Sequence, residues 1–302
     1  MHGVRHAAVD VRVRARGVRV ERVRAKSVGA RNAKTMTARA SALGAAYACA
    51  AALCGMMIVW IARAPGSCAP AYLSAMKDAS FREASDRAVP RTLLTKYRTN
   101  FAVCATHVLP ASAWCAIAPF QIHPTARKRF PKAHRIAGRV FFALSAAMTY
   151  GYGVIHARDL HFHANDFPSL KREECVSFWF DYGKIPGLSF VRIEHLGAAW
   201  FAFTACAAYA AVAFPPRNFA AHRAWTWRHV AAGLSVALQR VFIALHHVYF
   251  NAAYGFGHAH GVPELQKPIF ADSLIFGVVV AVVACESCVA LARPPRDRAK
   301  KS

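Results

Sequence analysis

Acid is scarce in this sequence: fifteen Asp and Glu stand against thirty-nine Lys and Arg, a formal charge of +24. The 302 residues contain no glycine-rich phosphate loop, no dinucleotide-binding glycine fingerprint and no nucleophile elbow. The common nucleotide-binding and serine-hydrolase signatures are therefore missing. There is no Cys-x-x-Cys-His, so haem attached through thioether links is excluded. Short alternating strands of the kind that build a membrane barrel are also absent. The nine cysteines do not form a disulfide framework, because Cys49, Cys54, Cys104, Cys115, Cys206, Cys285 and Cys288 fall inside long apolar blocks. Cysteines in such blocks are expected to be small packing residues. Only Cys68 and Cys175 lie in loops, on the same side, where one disulfide would suit an oxidising compartment.

What the chain does contain is hydrophobic length. Six apolar blocks, Ala42–Ala62, Phe101–Ile122, Ile136–His156, Phe190–Phe214, His229–Phe250 and Phe270–Ala292, each reach the roughly 20 residues that span a bilayer as a helix. The expected fold is all-α, an integral membrane bundle of about six transmembrane helices with a central four-helix core. Three segments follow: a basic tail at 1–40, the six-helix domain at 41–292 and a basic C-terminal tail at 293–302. The first tail has eleven Lys or Arg against Asp10 and Glu21. It reads as an organellar targeting peptide or as a disordered extension before a start at Met36.

The location of the charge removes the need for a nucleic-acid partner. Basic residues collect in Lys128–Arg139, in the Arg217–Arg228 turn and in Arg293–Lys301. The loop His156–Ser189 instead carries Asp159, Asp166, Glu173, Glu174 and Asp181. By the positive-inside rule both termini face the cytoplasm, or the stroma or matrix of an organelle, and the partner is the lipid bilayer itself.

Fifteen histidines are many for this length, and several stand within the apolar blocks, where an ionisable group needs a reason. Positions seven, eleven or eighteen apart return to one face of a helix. His222, His229 and Arg240 share such a face in the fifth block, and His134, Gly138, Ser145 and Tyr152 share one in the third. His107 lies above Trp114 in the second, and His195 above the small Ala202 and Cys206 in the fourth. Because direction alternates from span to span, His107 and His195 come to matching depth near the outer surface. His134 and His222 do so near the inner one, with His229 deeper. Two facing imidazoles are what a b-type haem needs in a bundle core. His107, His195, His134, His222 and His229 are therefore candidate ligands for haem b, one or two per chain. Arg240 is the candidate partner of a propionate, unless Glu194 or Glu286 neutralises it.

This layout resembles cytochrome b561, six helices with two haems held between the central four. A closer likeness rests on Pro119-Phe120-Gln121, His134-Arg135-Ile-Ala-Gly138-Arg139 and Ala221-His222-Arg223-Ala-Trp225-Thr-Trp-Arg228. They resemble an uncharacterised multi-pass family with P-F-Q, H-R-x-x-G-R and H-R-x-W-M-x-R signatures, Thr226 standing at the Met position. That resemblance implies the fold and names no reaction. Outside the blocks, His161-x-His163 and His258-x-His260 have spacing that suits Zn²⁺, Cu²⁺ or iron. Arg127, Lys128, Arg129, Lys132 and Arg135 would attract a small anionic reductant such as ascorbate. Two functions stay open at this point. One is a haem-b transmembrane oxidoreductase that reduces a metal ion on the outer side. The other is a cofactor-free membrane protein of structural, sensory or transport role.

Overall fold

The computed structural model describes residues 36–61, 97, 100–161, 190–254 and 263–292. His163, His258 and His260, the loop segments that hold them and both tails at 1–35 and 293–302 lie outside these residues. The chain divides into two compact units, Tyr47–Ala290 and a second made of Met1–Ala46 with Leu291–Ser302. In the second unit the described residues are helical, and they include 36–40, which the sequence assigns to the tail.

The described residues are all-α, without a strand, and six helices are long and apolar enough to cross a membrane. They are α1 (Met36–Ile61), α2 (Phe101–Ile122), α3 (Pro131–Ala157), α4 (Phe190–Ala213), α5 (Phe219–Tyr254) and α6 (Pro263–Ala292). Four of them, α1, α3, α5 and α6, begin earlier than the apolar blocks suggest, and for α3 and α5 the reasons are local. Pro131 opens α3 at its first turn, where its missing N–H is no loss. Asn218 caps α5, its side-chain oxygen accepting from Ala221 N at 2.9 Å. His134 and His222 therefore stand in the first turns of helices. At the end of the bundle that bears the short connections 123–130 and 214–218, here the turn end, α2 meets α3 and α4 meets α5. The opposite end is the far end.

Helices α2 to α5 form the central four, α2 packing on α3, α3 on α4, α4 on α5 and α5 on α2. At their centre Trp114, Phe141 and Phe201 surround His229, and all four are buried. Apolar side chains on the outside, such as Ile136, Phe203 and Val283, are exposed, as a lipid-facing surface requires. Lipid is as apolar as these side chains, so helix association depends on close packing and interhelical hydrogen bonds. Small residues supply the closeness. A Cβ on Gly277 of α6 would lie 2.6 Å from the Ser235 carbonyl oxygen of α5, so these two backbones touch. Gly277→Ala should accordingly lower stability by about 1–3 kcal/mol through forced separation. Gly153→Ala, with nothing within 4 Å of the added carbon, should be neutral or mildly stabilising. Thermal unfolding of the two variants in one detergent checks the contrast.

One cysteine departs from expectation. Cys104, at the far end of α2, is disulfide-bonded rather than a free packing residue. Cys54 and Cys115 do behave as packing residues, free and buried, with their thiols hydrogen-bonded between α1 and α2.

Candidate metal centre and adjoining cavity

At the far end the termini of α3 and α4 bring three imidazoles together. Helix α3 stops because Asp159 takes a left-handed conformation, φ 52°. Leu160 N then returns to the Ile155 carbonyl at 2.9 Å and Asp159 N to that of His156 at 3.1 Å. This is the Schellman closure that usually calls for glycine. The reversal folds His161 back over the last turn, so that its Nε2 lies 3.0 Å from Nδ1 of His156. From the first turns of α4, His195 presents Nε2 at 3.1 Å from the same His156 atom. One ligand nitrogen from each of the three rings lies within 4.8 Å of the other two.

Protons cannot satisfy this triangle comfortably. Glu194 accepts from His161 Nδ1 at 3.0 Å, which leaves the lone pair of that ring on Nε2, facing His156. His156 Nδ1 carries at most one proton and has a ring nitrogen on either side. A first-row metal ion would accept all three lone pairs at once. With metal–nitrogen bonds of about 2.0–2.1 Å at tetrahedral angles, the nitrogens would stand about 3.3 Å apart, close to the 3.0 and 3.1 Å that separate His156 Nδ1 from the other two. The carboxylate behind His161 is the usual support of a metal-bound imidazole, fixing its tautomer and orientation. Tyr152, one turn before His156, sets its ring 5.7 Å from that of His161 and 5.9 Å from that of His195.

Glu194 and Tyr152 also border a cavity of about 300 Å³ lined by residues of all six helices in the far half of the bundle. Trp114 and Phe201 are part of its wall, which is largely apolar, and its polar members include His107, Gln239 and Arg240. His107 sits on a π-helical turn, Cys104–Val108. Gly151 of α3 makes room for this turn, since a Cβ there would meet the Thr106 backbone at 2.8 Å. Such turns often mark functional positions. The His107 Nδ1–H donates to the Met148 carbonyl at 3.0 Å, so Nε2 keeps the free lone pair.

No family model, no curated protein and no solved structure matches this chain.

The geometry divides the residues proposed from sequence. His161 joins the three-histidine cluster, and so does His195, which was paired with His107 as a haem ligand. His195 is absent from the described cavity wall, where His107 is the one histidine. The cavity wall therefore offers one imidazole with a free nitrogen, that of His107. His229 is committed elsewhere, with Nδ1 3.1 Å from the Phe201 carbonyl and Nε2 2.8 Å from Ser145 Oγ. His222 donates from Nδ1 to the Ala208 carbonyl at 2.8 Å, and the buried Nδ1 of His134 has no partner. Both stand at the turn end. Glu286, one acid offered to Arg240, instead takes two bonds from Arg228 at 2.6 and 2.8 Å.

The residues that carry the family resemblance have packing roles at the turn end. Gln121 Nε2 donates to the His134 carbonyl at 3.4 Å, and a Cβ on Gly138 would lie 3.3 Å from Gln121 Oε1. Arg228 also stacks on Trp225 at 4.5 Å. Sequence reasoning missed His156 entirely. The available signal was the pair His156 and His161 straddling a helix end, with Glu194-His195 at the start of the next helix.

Proposed function

We propose that this chain is a multi-pass membrane metalloprotein that binds a transition-metal ion through His156, His161 and His195. The observation that carries this reading is the convergence of three imidazole nitrogens with Glu194 behind one of them. Three histidines suit zinc, copper, iron or nickel, and a three-ligand site leaves a coordination position for water or substrate. Because Glu194 and Tyr152 border both centre and cavity, a ligand in the cavity would sit beside the ion. Metal analysis of protein purified in detergent tests the reading, with about one ion per chain expected. Protein that is metal-free and takes up neither Zn²⁺ nor Cu²⁺ on dialysis would refute it.

A second reading has its own observation, the free Nε2 of His107 in the cavity wall. It makes the protein a transmembrane electron-transfer protein with a b-type haem held by one histidine. Bound there, the haem would supply one-electron chemistry, while His107 fixes its orientation through the Met148 carbonyl. A reduced-minus-oxidised b-type spectrum from purified protein selects this reading, and its absence after expression with ample haem rejects it.

Orientation belongs to the same proposal. Arg127, Lys128, Arg129, Lys132 and Arg135 crowd the turn end, which the positive-inside rule puts in the cytoplasm or its organellar equivalent. The disulfide at Cys104 supports the complementary assignment of the far end to an oxidising compartment. A reporter after Ser302 should be cytoplasmic and one near Ser169 should lie across the membrane. Reporters on one side would rule out a six-span topology.

A further inference from the structure

The cavity carries an inference that does not rest on the metal centre. Arg240 lies within the fifth span, where a guanidinium is costly and normally finds an anion. Its Nη1 donates to Gln239 Oε1 at 2.8 Å, and Gln239 is itself held by the Phe270 carbonyl through Nε2 at 3.0 Å. The rings of Trp60 and Phe270 lie 5.3 and 5.7 Å from the charge. No carboxylate pairs with Arg240 among the described residues: Glu286 is engaged by Arg228, Glu194 by His161, and the buried Asp272 is engaged elsewhere. Three buried side-chain atoms among the described residues lack a hydrogen-bond partner, and two of them, Arg240 Nε and Tyr152 Oη, belong to side chains in this cavity wall. Both are hydrogen-bond donors. The cavity thus presents one unneutralised cation and two unused donors within a mainly apolar wall.

We propose that the cavity binds an amphiphile bearing a single carboxylate, which Arg240 holds while the apolar body packs against Trp114, Phe201, Met57 and Leu274. A carboxylate supplies the acceptor lone pairs that the Arg240 fork and the Tyr152 hydroxyl lack. A phosphate suits the cavity less well. It carries more charge than one arginine neutralises, and Glu194 in the same wall repels the excess. A neutral lipid would leave the guanidinium without its anion. Two sources of the carboxylate share this chemistry, a free acyl chain and a haem propionate.

The test uses full-length protein in phosphatidylcholine nanodiscs, titrated with dibrominated stearic acid. Bromine quenches tryptophan fluorescence on contact, and Trp60 and Trp114 both line the cavity. Saturable quenching is expected, and Arg240→Gln should weaken binding by about 10–100-fold, the value of a charged hydrogen bond. Tyr152→Phe should weaken it by about 2–10-fold. The methyl ester of the same acid, with equal apolar body and no charge, should bind wild-type protein as weakly as the acid binds Arg240→Gln. Trp114→Phe should reduce the quenching amplitude. Displacement of the acid by ferric haem, with a bound Soret band, assigns the carboxylate to a propionate; failure to displace assigns it to an acyl chain.

Arg240→Gln removes a buried charge without a counter-ion, so it should fold with an unfolding temperature at or above that of the wild type. Equal affinity for acid and ester, or a folded Arg240→Gln protein that binds the acid like wild type, overturns the proposal. The ester comparison needs no variant and decides even if Arg240→Gln does not fold. Adding a metal chelator should leave the quenching intact, so failure of the metal centre and failure of this site remain separate results.

Discussion

His161→Ala should lower the affinity for Zn²⁺ by more than about 100-fold, a larger loss than the 10–100-fold expected when a residue supporting a metal ligand is removed. The reason is its place in the triangle. His161 alone is held on both nitrogens, by Glu194 at one and toward His156 at the other, both at 3.0 Å. It is also the most buried of the three, 3% exposed, so its ring is positioned before any ion arrives. Glu194→Gln should fall in the 10–100-fold range, because an amide can still orient His161 but does not raise its basicity. His195→Ala should resemble His161→Ala, since two imidazoles without the third are a weak site. Equilibrium dialysis against a zinc chelator reads all three. Binding should also stabilise wild-type protein by about 2.7 kcal/mol at one hundred times Kd, which raises its unfolding temperature, and leave His161→Ala unmoved. Wild-type affinity in both His161→Ala and His195→Ala would sink the assignment.

How far the sequence could be read depended on the kind of information each residue needed. The six helices were legible because twenty apolar residues in a row have few other solutions, and the structure has six apolar helices of that length. Helix faces were partly legible: the stripe of His222, His229 and Arg240 does turn inward, with Arg240 in the cavity wall. What periodicity could not supply is the neighbour. His195 was expected opposite His107, yet its nitrogen meets His156, a residue one helix away that had been taken only as the end of a span. The third imidazole, His161, reaches this pair because Asp159 adopts a left-handed turn, a local choice that carries no glycine to announce it. The Cys104 disulfide was hidden for a similar reason, since position within an apolar block says nothing about a cysteine's covalent partner.

His229→Ala should destabilise the bundle by about 2–5 kcal/mol without altering metal content or any haem spectrum. Depth and helical face made His229 a substitute ligand for an inner haem; its surroundings give each ring nitrogen a partner within the protein. The Phe201 carbonyl can only accept, so Nδ1 carries the proton and Nε2 accepts the Ser145 hydroxyl 2.8 Å away. Ser145 Oγ in turn accepts from Trp114 Nε1 at 3.1 Å, and Thr204 Oγ1 lies 3.3 Å from the other side of the ring. Removing the imidazole therefore opens a void between Phe141, Phe142 and Phe201 and strips one partner from a network joining α2, α3, α4 and α5. Neither loss can be repaired by water in a site with no measurable exposure. His222→Ala, by contrast, loses one bond to the Ala208 carbonyl near a helix start and should cost about 0.5–1.5 kcal/mol. Thermal unfolding of both variants in the same detergent, read beside their absorption spectra, decides between the two roles. A His229→Ala protein as stable as wild type but stripped of a b-type signal would restore His229 as a ligand; a protein that melts earlier with its spectrum and metal intact places it in the core.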